Sequence, residues 1–142
     1  MKKFELTSET KAFFGKTLYR IRALISFGDV SAGDLGGFVE KEENLDQYGD
    51  AWVSGNAMVS GDAMVDKTGA IFWVGAVGSR NDTTTFFKCN DGKVRVTCGC
   101  FFGDLTEFAE KVNETHGDNE HGKVYMLAIE MAKARISLEG ER

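Results

Sequence analysis

The chain has 142 residues, 42% apolar and 27% charged, a balance that excludes an intrinsically disordered chain and fits one compact domain or a small repeat module fused to one. Seventeen Lys and Arg against 22 Asp and Glu give a net charge of -5, so the whole molecule repels nucleic acid, and any anionic ligand must find a local basic patch. No long apolar run occurs, and none follows Lys2 and Lys3, so a mature cytoplasmic chain without a membrane span is expected.

Residues 11 to 27, KAFFGKTLYRIRALISF, predict a hairpin turning at Gly15-Lys16, then a strand with Tyr19, Ile21, Ala23 and Ile25 on one face and Arg20 and Arg22 on the other. The loop GDVSAGDLGGFVEKEENL follows. Its GDLGGF lacks the Gly-Lys-Ser/Thr ending of a phosphate loop and reads as turn chemistry. Glu40, Glu42 and Glu43 form a charge run on a solvated surface.

YGDAWVSGNAMVSGDAMV, residues 48 to 65, is a hexapeptide written three times. Val53, Val59 and Val65 recur every six residues, with small Ala57 and Ala63 between them, the spacing of a left-handed β-helix whose aliphatics point to its axis. The register extends forward to Ile71 and Val77, with Gly69 and Gly75 at the small sites, and back to Leu45 and Val39 after a two-residue slip. That makes roughly two coils, too few to be stable alone, so a cap or a second subunit is expected and with it a homo-oligomer. An ordinary β-meander is the alternative. Asp50, Asn56 and Asp62 are assigned to the corners, where such residues tolerate left-handed backbone.

TTTFFKCNDGKVRVTCGCFF carries a hairpin signal at Asp91-Gly92. A two-residue loop there pairs Cys89 with Val94, Phe87 with Val96 and Thr85 with Cys98. Those residues form the core face, and Thr84, Phe86, Lys88, Lys93, Arg95, Thr97 and Phe101 point outward; a slip of one residue flips the partition. Beyond it, a helix capped by Asp104 buries Leu105, Phe108 and Val112 and stops at Gly117, and a second helix carries Val124, Leu127, Ala128 and Met131 at helical spacing. The expected fold is α+β: an N-terminal hairpin and Gly-rich loop (1–38), left-handed β-helix-like hexapeptide coils (39–78), and a C-terminal ββαα unit (79–142).

The cysteines, Cys89, Cys98 and Cys100, are odd in number and read as reduced, structural thiols. In the register above Cys89 lies about 13 Å along the strand from the position facing Cys98, too far to share a zinc ion. His116 and His121 sit at helix ends, where a cationic ring complements the dipole. No catalytic constellation, metal site or cofactor is predicted. The candidate ligand site is the outer hairpin face, Thr84, Phe86, Lys88, Arg95 and Thr97, with Arg80 at its edge. An aromatic ring beside guanidinium groups and hydroxyls suits a nucleotide: stacking for the base, bidentate bonds for phosphate. The alternative is a solvated outer face with no ligand.

Residues 17 to 65, with LYRIRAL, GDLGGF, VEKEENL and the G-[DN]-A-x-V turns, resemble a family of bacteriophage and prophage proteins. The stretch GSRNDTTTFF…VTCGCFFGDLTEFAEKVNETHG…AKARI is similar to a module of phage accessory proteins. The resemblance implies a phage-encoded accessory protein acting in the cytoplasm of the infected host. Such proteins are often counter-defence factors that sequester a nucleotide immune signal or block a host defence protein. Hexapeptide acyltransferases share the coil pattern, but here the coils contain no histidine and the glycine falls two residues after the aliphatic rather than one. The expected function is therefore a non-enzymatic, oligomeric counter-defence protein that sequesters a nucleotide-like small molecule, with no direct nucleic-acid or membrane binding. Two alternatives stand beside it: an anti-CRISPR-like inhibitor of a host defence protein acting through the acidic loop Glu40–Asp46, and an acyltransferase-like enzyme dependent on His116 or His121.

Overall fold

A computed structural model describes residues 2–77, 82–98 and 101–140. β1 (Phe4–Phe13) and β2 (Lys16–Ala23) form an antiparallel hairpin that closes on Phe14 and Gly15, both left-handed at φ 49° and 74°. Those angles suit a tight turn that follows the strand twist, and they place the turn one residue earlier than the sequence predicts. Arg20 pairs with Glu9 at 2.8 Å and Arg22 with Glu5 across the ladder, while Ile21 and Ala23 are buried on the opposite face. β3 (Leu35–Val39) adds antiparallel to β2, and the two-residue β4 (Met58–Val59) adds parallel to β3.

Gly36 and Gly37 are strand residues rather than turn residues. A Cβ on Gly36 would lie 2.5 Å from the Val53 carbonyl oxygen, and one on Gly37 would lie 2.5 Å from that of Ala57. The two glycines let β3 run against the backbone of residues 53 to 57, to which Gly37 and Phe38 donate hydrogen bonds.

The hexapeptide stretch does not build a left-handed β-helix. The regular strands form two four-stranded sheets, β1-β2-β3-β4 and β5-β6-β7-β8, in which every neighbouring pair but β3–β4 is antiparallel. The repeat itself supplies β4 and one isolated parallel bridge, Leu45–Val65. A solenoid needs coil-to-coil ladders along each face, whereas here the repeat's apolar side chains pack on Phe4 and Ile21 of the hairpin and on Phe87 of the second sheet. The periodicity nonetheless marks burial: Val39, Leu45, Val53, Val59 and Val65 are at most 1% exposed, and Ala51, Ala57 and Ala63 at most 4%. The left-handed corner residues are Gly49, Gly55 and Gly61, not the Asp or Asn that follows each.

The second sheet comprises β5 (Ile71–Val77), β6 (Asp82–Lys88), β7 (Val94–Cys98) and β8 (Phe101–Asp104), followed by α1 (Leu105–His116) and α2 (Glu120–Gly140). The expected ββαα unit thus has two further strands. Between β6 and β7 the loop is Asn90-Asp91-Gly92, because Cys89 N–H donates to the Lys93 carbonyl and Gly92 is left-handed at φ 82°. That extra residue shifts the predicted register by one, pairing Phe86 with Val96, Phe87 with Arg95 and Thr84 with Cys98. Both faces of the sheet are covered. Phe86 and Val96 pack under the helices around Phe108, and Phe87 and Cys89 enter the core of the first half. Asp104 caps α1 as predicted, accepting from Glu107 N–H at 2.8 Å while Glu107 accepts from the Asp104 N–H.

Gly37→Ala should destabilise the fold by about 1–3 kcal/mol through overpacking against the Ala57 carbonyl. Chemical denaturation reads this, and a midpoint unchanged from wild type would show that β3 does not need so close an approach.

Candidate functional site

The hairpin residues predicted to form a ligand face are not an exposed surface. Phe86 is 0% exposed, in contact with Phe72 and Phe108 beneath the helices. Thr84 is buried on that same face and donates to Cys98 Sγ at 3.1 Å. Thr97 is buried on the opposite face, where its hydroxyl donates to the Met58 carbonyl at 2.8 Å and Thr85 Oγ1 accepts from Met58 N–H at 3.0 Å. These threonines stitch the two halves of the molecule together. Arg95 pairs with Asp91 at 2.9 Å, and the Lys93 N–H together with that guanidinium holds the Asp91 carboxyl below its usual range. Lys88 is half-buried on the Phe86 face, and Arg80 lies outside the described residues. The one-residue shift, combined with burial of both sheet faces, is why the predicted outer face does not exist as such.

Cys89 and Cys98 fall on opposite sides of the sheet, and Cys100 lies outside the described residues. Burial pushes the Cys89 thiol up to about 11, so it stays protonated at neutral pH. His116 and His121 meet at the α1–α2 turn with ring centroids 5.4 Å apart, and His116 stacks on Tyr125 at 5.7 Å.

What the first half brings together instead is carboxylates. A hollow of about 670 Å³ is lined by Glu42, Glu43, Asp46 and Asp66, with Leu45, Gln47, Tyr48 and Met64 between them. Tyr48 is 78% exposed and Met64 is exposed as well, giving the hollow an apolar and aromatic component. Lys2 answers Glu42 at 3.0 Å, and the Tyr48 N–H answers Asp46. Asp66 Oδ1 is buried without a hydrogen-bond partner. A second cleft of about 620 Å³ holds Asp29, Asp34 and Asp50 beside Trp52, Trp73 and Leu35. Among the described residues, no cation lines either cavity.

Two inward-pointing side chains shape this surface. Lys3 is 1% exposed, and its ammonium donates to the carbonyls of Tyr48, Gly49 and Ala51 at 3.5, 3.2 and 2.7 Å while lying 4.9 Å above the Phe27 ring. Burial lowers its pKa, and Asp46 and Asp50 oppose that shift. Buried Asn44 accepts from the Glu40 and Lys41 N–H groups and donates to the Gly61 and Ala63 carbonyls, each at 3.1 Å. Glu40 in turn accepts from Gly61 N–H at 2.7 Å, so this glutamate is structural rather than part of a solvated run. Neither Lys3 nor Asn44 stands in a pattern that marks it in the sequence.

In comparisons with known proteins the chain matches no family model and no curated protein. No helix among the described residues is long and apolar enough to cross a membrane, and no group of three or more His, Cys, Asp or Glu there could hold a metal ion.

Lys3→Met keeps the chain length of the side chain but leaves the buried Ala51 carbonyl without its donor, a loss of about 1–3 kcal/mol. Amide exchange across residues 48 to 51 should accelerate. Because burial lowers the Lys3 pKa below its usual 10.5, the unfolded wild type binds more protons than the folded one in the alkaline window just under that value. Wild-type stability therefore gains as pH rises through that window, and the variant should lack the gain. Unaltered exchange in the variant would remove Lys3 as the organiser of the loop. Separately, Cys89 should resist alkylation at mildly alkaline pH in the folded protein and react once the chain is unfolded, as peptide mapping reads directly.

Proposed function

We propose that this protein is a non-enzymatic binding protein that engages a basic protein partner through its acidic surface. The observation that carries the reading is the hollow ringed by Glu42, Glu43, Asp46 and Asp66, where Asp66 Oδ1 is buried and unpartnered beside exposed Tyr48 and Met64. Four carboxylates around one hollow repel one another, and an incoming guanidinium or ammonium relieves that repulsion with charge-assisted hydrogen bonds. Tyr48 offers a ring face to the same cation. The tryptophan-lined cleft of Asp29, Asp34 and Asp50 has the same chemistry, and residues 46 to 52 contribute to both cavities. An extended basic segment has carboxylates to meet at both.

Arg95 Nη1 is, like Asp66 Oδ1, buried without a partner, but sequestration of a nucleotide on the β6–β7 hairpin has less support, because Thr84, Phe86 and Thr97 are buried and Arg95 Nη2 is paired with Asp91 within its own hairpin. The likeness of residues 17 to 65 to phage proteins is the ground for placing the binding activity in counter-defence, as an inhibitor of a basic host defence protein acting in the host cytoplasm.

An arginine-rich peptide is the probe. Calorimetry should show binding that weakens steeply with salt, and Glu43→Lys with Asp66→Lys should weaken it roughly tenfold, about 1.4 kcal/mol, through two attractions lost and two repulsions introduced. Glu40 is left unchanged because the fold uses it. Affinity that is indifferent to the double reversal would sink the reading.

A further inference from the structure

α2 is apolar on two opposite sides. Tyr125, Ala128, Ile129, Ala132 and Ile136 are buried against α1 and the second sheet. On the other side Leu127 is 66% exposed and Met131 58%, with Val124 and Met126 also in solvent. Single exposed aliphatics are ordinary, but Val124, Leu127 and Met131 stand at i, i+3 and i+7, which makes them one stripe, and Met126 meets Leu127 across a hollow beside it. Exposed Lys123 and Glu130 flank the stripe, four residues before Leu127 and three after it. That hollow, of about 440 Å³, lies at the α1–α2 turn and is floored by Gly117 and Gly122. Gly122 has no room for a side chain, since a Cβ would meet the Gly117 carbonyl at 2.2 Å, and so the helix surface is notched there.

We propose that α2 pairs antiparallel with α2 of a second copy of this chain, about a twofold axis between Met126 and Leu127. Charge selects both the occupant and the direction. In that register Lys123 faces Glu130 of the second copy, and the symmetry repeats the pair, so both charges are answered twice. A parallel arrangement sets Lys123 against Lys123 and Glu130 against Glu130. The same register lays Met126 on the opposing Leu127, over the hollow that both residues line. Lys133, which meets Glu130 at 3.4 Å, is more than half exposed, and so weak a surface pair yields readily to an intermolecular one. The contact covers only a few helical turns, which sets dissociation in the micromolar range rather than tighter.

Sedimentation velocity of the full chain across the micromolar range tests this. Wild type should pass from monomer to dimer, and Leu127→Lys should weaken the dimer roughly tenfold or more. Lys123→Glu and Glu130→Lys should each weaken it alone, and the two together should restore it, since the exchange rebuilds both pairs with reversed sign. All of these positions are exposed, so thermal midpoints should stay at the wild-type value and separate loss of pairing from loss of fold. A wild type that remains monomeric throughout, or a double exchange no better than the single variants, overturns the proposal.

Discussion

The acidic half of the molecule is organised around a cation that never reaches its surface. Lys3 enters from the chain's beginning and converges on three carbonyls of residues 48 to 51, a stretch whose exposed glycine and aspartate give it little else to pack. Desolvation penalises that charge, and the carbonyl dipoles, the Phe27 ring and the nearby Asp46 and Asp50 offset the penalty. The arrangement has an electrostatic consequence. A lysine spent inside does not neutralise the carboxylates outside, so residues 46 to 52 present Asp46 and Asp50 to solvent on a backbone held from beneath.

The second sheet acts as a partition. Its Phe87 and Cys89 side belongs to the core of the repeat, and its Phe86 and Val96 side belongs to the helices. Thr85 and Thr97 lie on the repeat side and satisfy the N–H and carbonyl of Met58, the two backbone groups that the short β4 turns toward the sheet. A hydroxyl at each position is what keeps the buried seam free of orphaned backbone groups. Threonines that look, in sequence, like the polar ornament of an outer strand face are thus the fastening between two layers.

How much of this was legible depends on which signals were redundant. The valines and alanines of the hexapeptide marked the core correctly, because burial demands apolar residues whatever the ladder pattern; the same spacing could not say that β1 and β2, rather than another coil, would cover them. Asp104 and Gly117 delimited α1 because capping and left-handed termination are local chemistry. The β6–β7 register failed on one residue: Asp-Gly suits a two-residue loop, and the same pair, with Asn90 before it and Gly92 left-handed, also suits a three-residue loop. On α2 the apolar residues surround the helix, so helical spacing picked Val124, Leu127 and Met131 while packing chose Tyr125, Ile129, Ala132 and Ile136, with Ala128 common to both. Lys3 and Asn44 were illegible because a buried polar residue is defined by partners distant in sequence.

The exposed stripe of α2 and the Asp66 hollow lie on opposite sides of that partition. The helix packs its inner face on the second sheet, whose other face adjoins the half that carries Asp66 and Tyr48. Pairing through α2 therefore leaves the Asp66 hollow uncovered and gives one assembly two copies of it. A salt-screened contact with a basic partner is weak when made once, and a dimer that presents it twice gains from effective concentration wherever the partner is itself repeated or symmetric. The two proposals fail independently, since the cavities need no second subunit to bind a basic segment, but together they place self-association where it strengthens binding without competing for the same surface.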